Sequence, residues 1–270
     1  MVQNYRIASL IDYIKVIQDI YRNEKPKKHL FFRGHSKVSY KLIPSVFREN
    51  YSEKDILLDF KQYAPEHHLE YDFIYDCDKV LGDMQHYGLP TRLLDWSISP
   101  LVGLYFACRK SNNGDDEDGC VFIFNPWSYN SKIVKNYGIP EIHQIHIISR
   151  ALLAYRWNIE DIIKYLQKRF INVDLTEEDI LKPISFVSPY TNKRKVYQRG
   201  CFTIHGRDHV NLDFWDEAQE SIKYITINQS DKANIQNELN ILYVNEYSIY
   251  PDFDGMSEMI KKYGSLFNYK

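Results

Sequence analysis

Three short segments of the chain gather the residue types that grip anions and move protons: FRGHS at 32–36, QHYGLPTRLLDWSISP at 85–100 and YQRGCF at 197–202. The first and third share an Arg-Gly step beside an apolar run. That step brings a planar fork of donors and a backbone without a Cβ to the same phosphate or carboxylate. The middle segment crowds His86, Tyr87, Arg92, Asp95 and Trp96 between breakers. Arg33 has two readings, a strand-end arginine paired with a carboxylate such as Asp95 and a ligand contact. The two combine, because an oriented guanidinium keeps donors for a bound phosphate. For the middle segment the structural alternative is a polar plug whose side chains hydrogen-bond irregular backbone.

Other constellations carry less. His67 and His68 are adjacent and diverge on a helix, and His143 and His146 have only Glu141 nearby as a further ligand type, so no metal is expected. The dinucleotide, P-loop, nucleophile-elbow and zinc-protease motifs are all missing. One basic run, 192–199 with Lys193, Arg194, Lys195 and Arg199, reads as a solvated face. Its alternative is a surface for nucleic acid or an acidic partner, with Arg207 close and Tyr190 and Tyr197 as stacking groups.

The 270 residues, 44% hydrophobic and 26% charged, describe a folded globular chain. With 34 Lys+Arg against 36 Asp+Glu the net charge is -2, which excludes a general polycation. No apolar run is long enough to cross a bilayer and the first residues are interrupted by polar ones, so a cytoplasmic protein with no membrane partner is expected. The four cysteines, Cys77, Cys108, Cys120 and Cys201, form no CxxC pair and read as reduced core residues. The 22 Tyr, 14 Phe and 4 Trp suit both a large core and the stacking walls of a cleft.

The elements that must position these residues are legible by periodicity. Residues 9–23 predict an amphipathic helix with Ser9 and Asp12 as a capping box and Leu10, Ile11, Ile14, Ile17, Ile20 and Tyr21 as its stripe. LFFRGHS predicts a short strand ending at Arg33 and Gly34. Residues 53–84 predict two helices broken near Pro65, the second from about 69 to 84. Gly88 and Pro90 stop that helix, and an extended stretch follows. Ser99 and Pro100 then open a helix that buries Leu101, Leu104, Tyr105 and Cys108. After an acidic turn at 112–119, the apolar CVFIF at 120–124 suits a central strand covered on both faces. Helical patterning resumes from 125 to about 171. Strands are expected at 184–187, 200–206 and 221–227, a helix at 232–244, and a turn with a short helix at the end. No linker or repeat interrupts the chain, so 1–270 reads as a single α+β domain with helices concentrated in its first two-thirds.

FFRGH, QHYGLPTRLLDWSISPLVGLYFA, YQRGCFTIHG and YPDFDGMSEMI together resemble the FRG domain family over about residues 8 to 265. The resemblance implies a bacterial or phage-associated protein, in some cases near defence or toxin genes. The layout is also similar to ADP-ribosyltransferases of the Arg-Ser-Glu type. That likeness implies a mixed, mostly antiparallel split sheet and a cleft for NAD, as substrate, or a related nucleotide. Arg33-Gly34 resembles the first position of that family and the stretch from Thr91 to Phe106 the second. Gln198 stands where the family has its catalytic Glu, and an amide cannot offset a cation. The resemblance thus implies Arg33, Asp95 and Gln198 as the catalytic set. Arg33, Gly34, His35, His86, Tyr87, Thr91, Arg92, Trp96 and Ser97 would contact the nucleotide. Arg33 would grip phosphate or ribose, and Tyr87 or Trp96 would stack on nicotinamide. Asp95 would hold Arg33 or supply the missing carboxylate, with Thr91, Ser97 and Ser99 competing to hold the ribose. The acceptor would be a protein or a nucleic acid. The alternative is a non-catalytic module that senses a nucleotide, a nucleic acid or a phage component.

Overall fold

The computed structural model describes residues 4–24, 29–49, 51–72, 76–110, 117–133, 142–153, 158–169, 181–187, 192–206 and 210–264. Seven strands form one sheet: β1 (Asn4–Ile7), β2 (Phe31–His35), β3 (Leu93–Ser97), β4 (Gly119–Phe124), β5 (Ile184–Phe186), β6 (Gly200–Ile204) and β7 (Ile222–Ile227), in the order β1-β7-β4-β2-β3-β6-β5. Every pairing is antiparallel except β1 with β7. β2 pairs with β4 along its whole length, from Phe31↔Phe124 to His35↔Cys120. Between β2 and β3 only Phe32↔Ser97 is paired. The sheet is therefore two well-laddered halves, β1-β7-β4-β2 and β3-β6-β5, which splay apart from that one contact. The α+β class and the mostly antiparallel, split arrangement are as expected.

Alternation along the strands sends successive side chains to opposite faces, and both faces are covered. On β4, Val121 and Ile123 join a core with Tyr13, Ile20, Leu104 and Ile235. Phe124 joins the other core, with Phe31, Trp96, Tyr129 and Leu152. CVFIF is the doubly covered strand its apolarity predicts. The four cysteines are free and buried, and among the described residues no helix is long and apolar enough to cross a membrane.

Twelve helices surround the sheet among the described residues. α1 (Leu10–Asn23) starts where the Ser9 side chain accepts from the Asp12 N–H. Its buried stripe is Leu10, Tyr13, Ile17 and Ile20; Ile11 is 64% exposed and Ile14 is also exposed, so the stripe lies one residue round from the expected one. α2 (Glu53–Tyr63) passes into a 3-10 turn at Ala64–His67. α3 (Cys77–His86) begins later than expected, after Leu69 and Tyr71 have packed as non-helical chain beside Phe60 and Met84. α4 (Pro100–Cys108) follows Ser99, whose side chain makes no capping bond. It is buried nearly all round, on Val102, Gly103, Leu104, Tyr105, Ala107 and Cys108 rather than on one stripe.

Gly34 explains that burial. A Cβ there would lie 2.0 Å from the Gly103 carbonyl oxygen and 2.5 Å from the Ala107 nitrogen. The missing side chain serves the approach of α4 to β2, and is not a space reserved for a ligand.

α5 (Pro126–Ile133), α6 (Ile142–Leu153) and α7 (Ile159–Arg169) follow, on the expected helical stretch. α8 (Lys193–Gln198), α9 (Asp216–Gln219), α10 (Lys232–Ile241), α11 (Glu246–Ile249) and α12 (Phe253–Tyr263) carry helix to the end of the described chain. β1, α8, α9 and α11 are absent from the sequence reading. Tyr190 and Arg207, and most of the acidic turn, lie outside the described residues.

Candidate functional site

Where the half-sheets splay, a cavity of about 390 Å³ opens over the ends of β2, β3 and β6. α3, α4 and α8 close its sides, and Tyr250 stands at its rim. The volume is in the range of small-molecule sites.

Arg33 pairs with Phe122 of β4 and has no ladder partner on β3. Its Nη1 donates to the main-chain oxygen of Asp95 at 2.6 Å, and its Nε donates to His35 Nε2 at 2.9 Å. The expected Arg33–Asp95 pairing thus exists, but through the carbonyl. The Asp95 carboxylate points elsewhere, accepting from Gln85 Nε2 at 2.6 Å, and it lines the cavity from β3. Burial lowers the Arg33 guanidinium to about 10, against the raising influence of Asp95.

His35 is the acceptor that holds Arg33. Burial first, and the charge of Arg33 second, push its imidazole down to about 3. It is the neutral ring whose Nε2 accepts while Nδ1 donates to the Tyr40 carbonyl at 3.2 Å. His35 therefore positions Arg33 from behind and faces a neighbouring chamber.

Ser97 and Gln198 tie the end of α8 to β3 within one half of the sheet. Ser97 Oγ donates to the Gln198 carbonyl at 2.6 Å and accepts from the Ser99 N–H at 2.9 Å, so its one proton is committed. The Gln198 side chain, at the last turn of α8, donates to the Ile249 carbonyl at 3.2 Å. His86 lines the cavity from the end of α3, its imidazole lowered by burial and then by Arg194.

Four expected contacts, His35, Thr91, Arg92 and Tyr87, do not line this cavity. Thr91 is fully buried and donates to Gln85 Oε1, bracing the residue that holds Asp95. Arg92 is buried in an ion pair with Glu53. Tyr87 is 62% exposed and does not line the cavity. Trp96 borders the cavity, but its ring packs 5.2 Å from Phe124 and its indole N–H donates to Thr203, which makes it a core residue.

The sequence reading missed three contributors. Gln85 opens the middle segment, and its spacing from Thr91 and Asp95 gives no local cue that one amide serves both. Lys195 was assigned to a solvated basic face. It is buried, lines the cavity, and sits 5.6 Å from the Phe202 ring centroid. Burial lowers its ammonium, and Asp83, Asp78 and Asp95 oppose that shift. Arg194 stacks 4.3 Å from the Tyr250 ring centroid. Among the described residues no cluster of His, Cys, Asp or Glu is arranged to hold a metal.

The arrangement is thus a cation, a braced carboxylate and an amide, from three distant segments, on one hollow. Residues 28–116 match the model of the FRG domain family. That FRG domain match covers about a third of the chain. The matched span contains β2, α2, α3, β3 and α4, and with them Arg33, Gln85, His86 and Asp95. Lys195, Gln198 and Tyr250 complete the cavity from beyond the match. No curated protein and no solved structure shows a significant match to the chain.

Proposed function

We propose that the FRG-domain cavity binds NAD or a related nucleotide, and that the domain is an ADP-ribosyltransferase-like module in which Asp95 supplies the carboxylate that Gln198 does not. The reading rests on one observation: Arg33, Asp95 and Gln198 line a single cavity at the splay of the sheet. In the transfer, the bond from ribose C1′ to the nicotinamide nitrogen breaks and its electron pair leaves with nicotinamide. The acceptor's lone pair then closes on C1′, and the acceptor's proton passes to solvent. Positive charge develops on the ribose in between, and a carboxylate fixed beforehand by Gln85 is suited to offset it. Arg33, backed by His35, suits the pyrophosphate.

A second reading is a binding module on the same scaffold. It draws on Gln198, whose side-chain amide is anchored to Ile249. Labelled NAD and a cell lysate, with NAD-dependent melting in parallel, separate the two. The enzyme reading expects label transfer that drops about 10²–10³-fold in Asp95→Asn while the melting shift persists. A shift with no transfer in the wild type establishes the binding module, and neither signal removes both. The bacterial toxin or phage-defence setting belongs to this proposal, and cellular toxicity lost on Asp95→Asn supports it.

A further inference from the structure

Arg33 and Gly34 also form the near wall of a second, wider chamber of about 1030 Å³, which Phe106 likewise shares with the first. Five cations line it: Arg33, Lys41, Arg48, Arg109 and Lys110. Among the described residues no aspartate or glutamate does. In a chain of net charge -2 that is a marked local concentration of one sign. Its effect is felt by the groups inside, since Arg33 and Arg48 both push the His35 imidazole down. Tyr40, Phe47 and Phe106 stand among the cations, and Tyr40 is 47% exposed. Lys41, Arg48, Arg109 and Lys110 are exposed.

We infer that this chamber is a subsite for single-stranded nucleic acid, its phosphates held by Lys41, Arg48, Arg109 and Lys110 and its bases resting on the aromatic side chains. Cations interleaved with aromatic faces fit a strand, because phosphates repeat along it and every base has a face to stack. A pyrophosphate alone would engage a minority of these cations. The assignment of the strand as acceptor rests on the transferase reading: Arg33 is common to both chambers, which would set the strand beside the nucleotide. Binding itself does not depend on that reading.

The probe is a fluorescein-labelled oligothymidylate of about 15 nucleotides, followed by anisotropy over a salt series. The wild type should bind with steep salt dependence. Lys41→Glu/Lys110→Glu should weaken binding at least about ten-fold and flatten the log–log salt slope by about 1.4, the value for two lost phosphate contacts on a single strand. Both positions are exposed, so the variant should melt as the wild type does. The control Lys164→Glu/Lys261→Glu makes the same charge change at residues that line neither chamber and should bind normally. Absence of wild-type binding at low salt, or equal binding by the chamber variant, overturns the inference. So does a chamber variant that loses its NAD-dependent melting shift yet holds the oligonucleotide normally, because the chamber would then serve the nucleotide's own phosphates. Oligonucleotide binding without any NAD effect leaves the subsite standing and removes only the transferase reading.

Discussion

Arg33 and Arg92 are both arginines on or beside a strand, and their partners give them opposite roles. Arg92 donates to Glu53 through Nε at 2.7 Å and through Nη2, and its backbone N–H donates to the same carboxylate at 3.0 Å. Nη1 reaches the Gly206 carbonyl at 3.2 Å. Pair and surroundings are buried, so removing either partner strands a charge. Arg92→Ala and Glu53→Ala should each lower stability by about 3–5 kcal/mol in urea unfolding. Arg33 contacts a neutral imidazole and one carbonyl at the edge of a cavity, and Arg33→Ala should cost no more than about 1–2 kcal/mol. A loss as large as that of Arg92→Ala would mark Arg33 as structural and weaken the site assignment. Nothing in the local pattern pairs Glu53 with Arg92: they are joined only by the packing of α2 against the start of β3.

At the scale of elements, the junction of β2 with α4 is the tightest test. Gly34→Ala drives a methyl into the Gly103 carbonyl and the Ala107 nitrogen, both backbone atoms that side-chain motion cannot relieve. The expected loss is about 3 kcal/mol or more, read as a drop in Tm, with strand and helix content retained at low temperature. Gly88 makes a useful contrast. Its φ of 84° lies in the left-handed region while nothing is within 4 Å of a Cβ there, so Gly88→Ala should cost about 1–2 kcal/mol from backbone strain alone. The start of α1 was legible because a cap acts over three residues, as Ser9 does on Asp12. β1 was not: NYRI is four residues long, too short for the alternation of Tyr5 and Ile7 to stand out, and it becomes a strand by pairing with β7. The start of α3 was misread because no Gly or Pro between Leu69 and Cys77 marks a break, while the cluster around Phe60 uses Leu69 and Tyr71 without a helix.

For the molecule as a whole, two buried histidines set a pH limit. His35 and His205 are each held neutral with the imidazole pushed down to about 3, chiefly by burial and then by Arg33 or Arg92. Unfolded, each titrates at its usual value near 6.5. Between about 3 and 6.5 the unfolded chain therefore binds more protons than the folded one, and stability rises with pH across that window. On acidification from pH 7 to 5 each histidine should contribute a loss on the order of 2 kcal/mol. Urea midpoints at the two pH values measure it, and His205→Asn should remove about half of the difference. An unchanged midpoint would mean that the rings charge without opening the fold.

The sequence alone determined what is local: most of the helices and strands, that 120–124 is covered on both faces, and that polar chemistry is concentrated at three element ends. It also carried the Phe-Arg-Gly step that lies within the FRG domain match. Only the tertiary structure decided which residues share a hollow. It drew Gln85 and Lys195 into the site, set Arg92 and Trp96 into the core, and gathered Lys41, Arg48, Arg109 and Lys110 round one chamber. Periodicity and capping report forces that act across a few positions of the chain. A cavity is made by strand pairing and by one incomplete seam, which join residues that no local pattern connects.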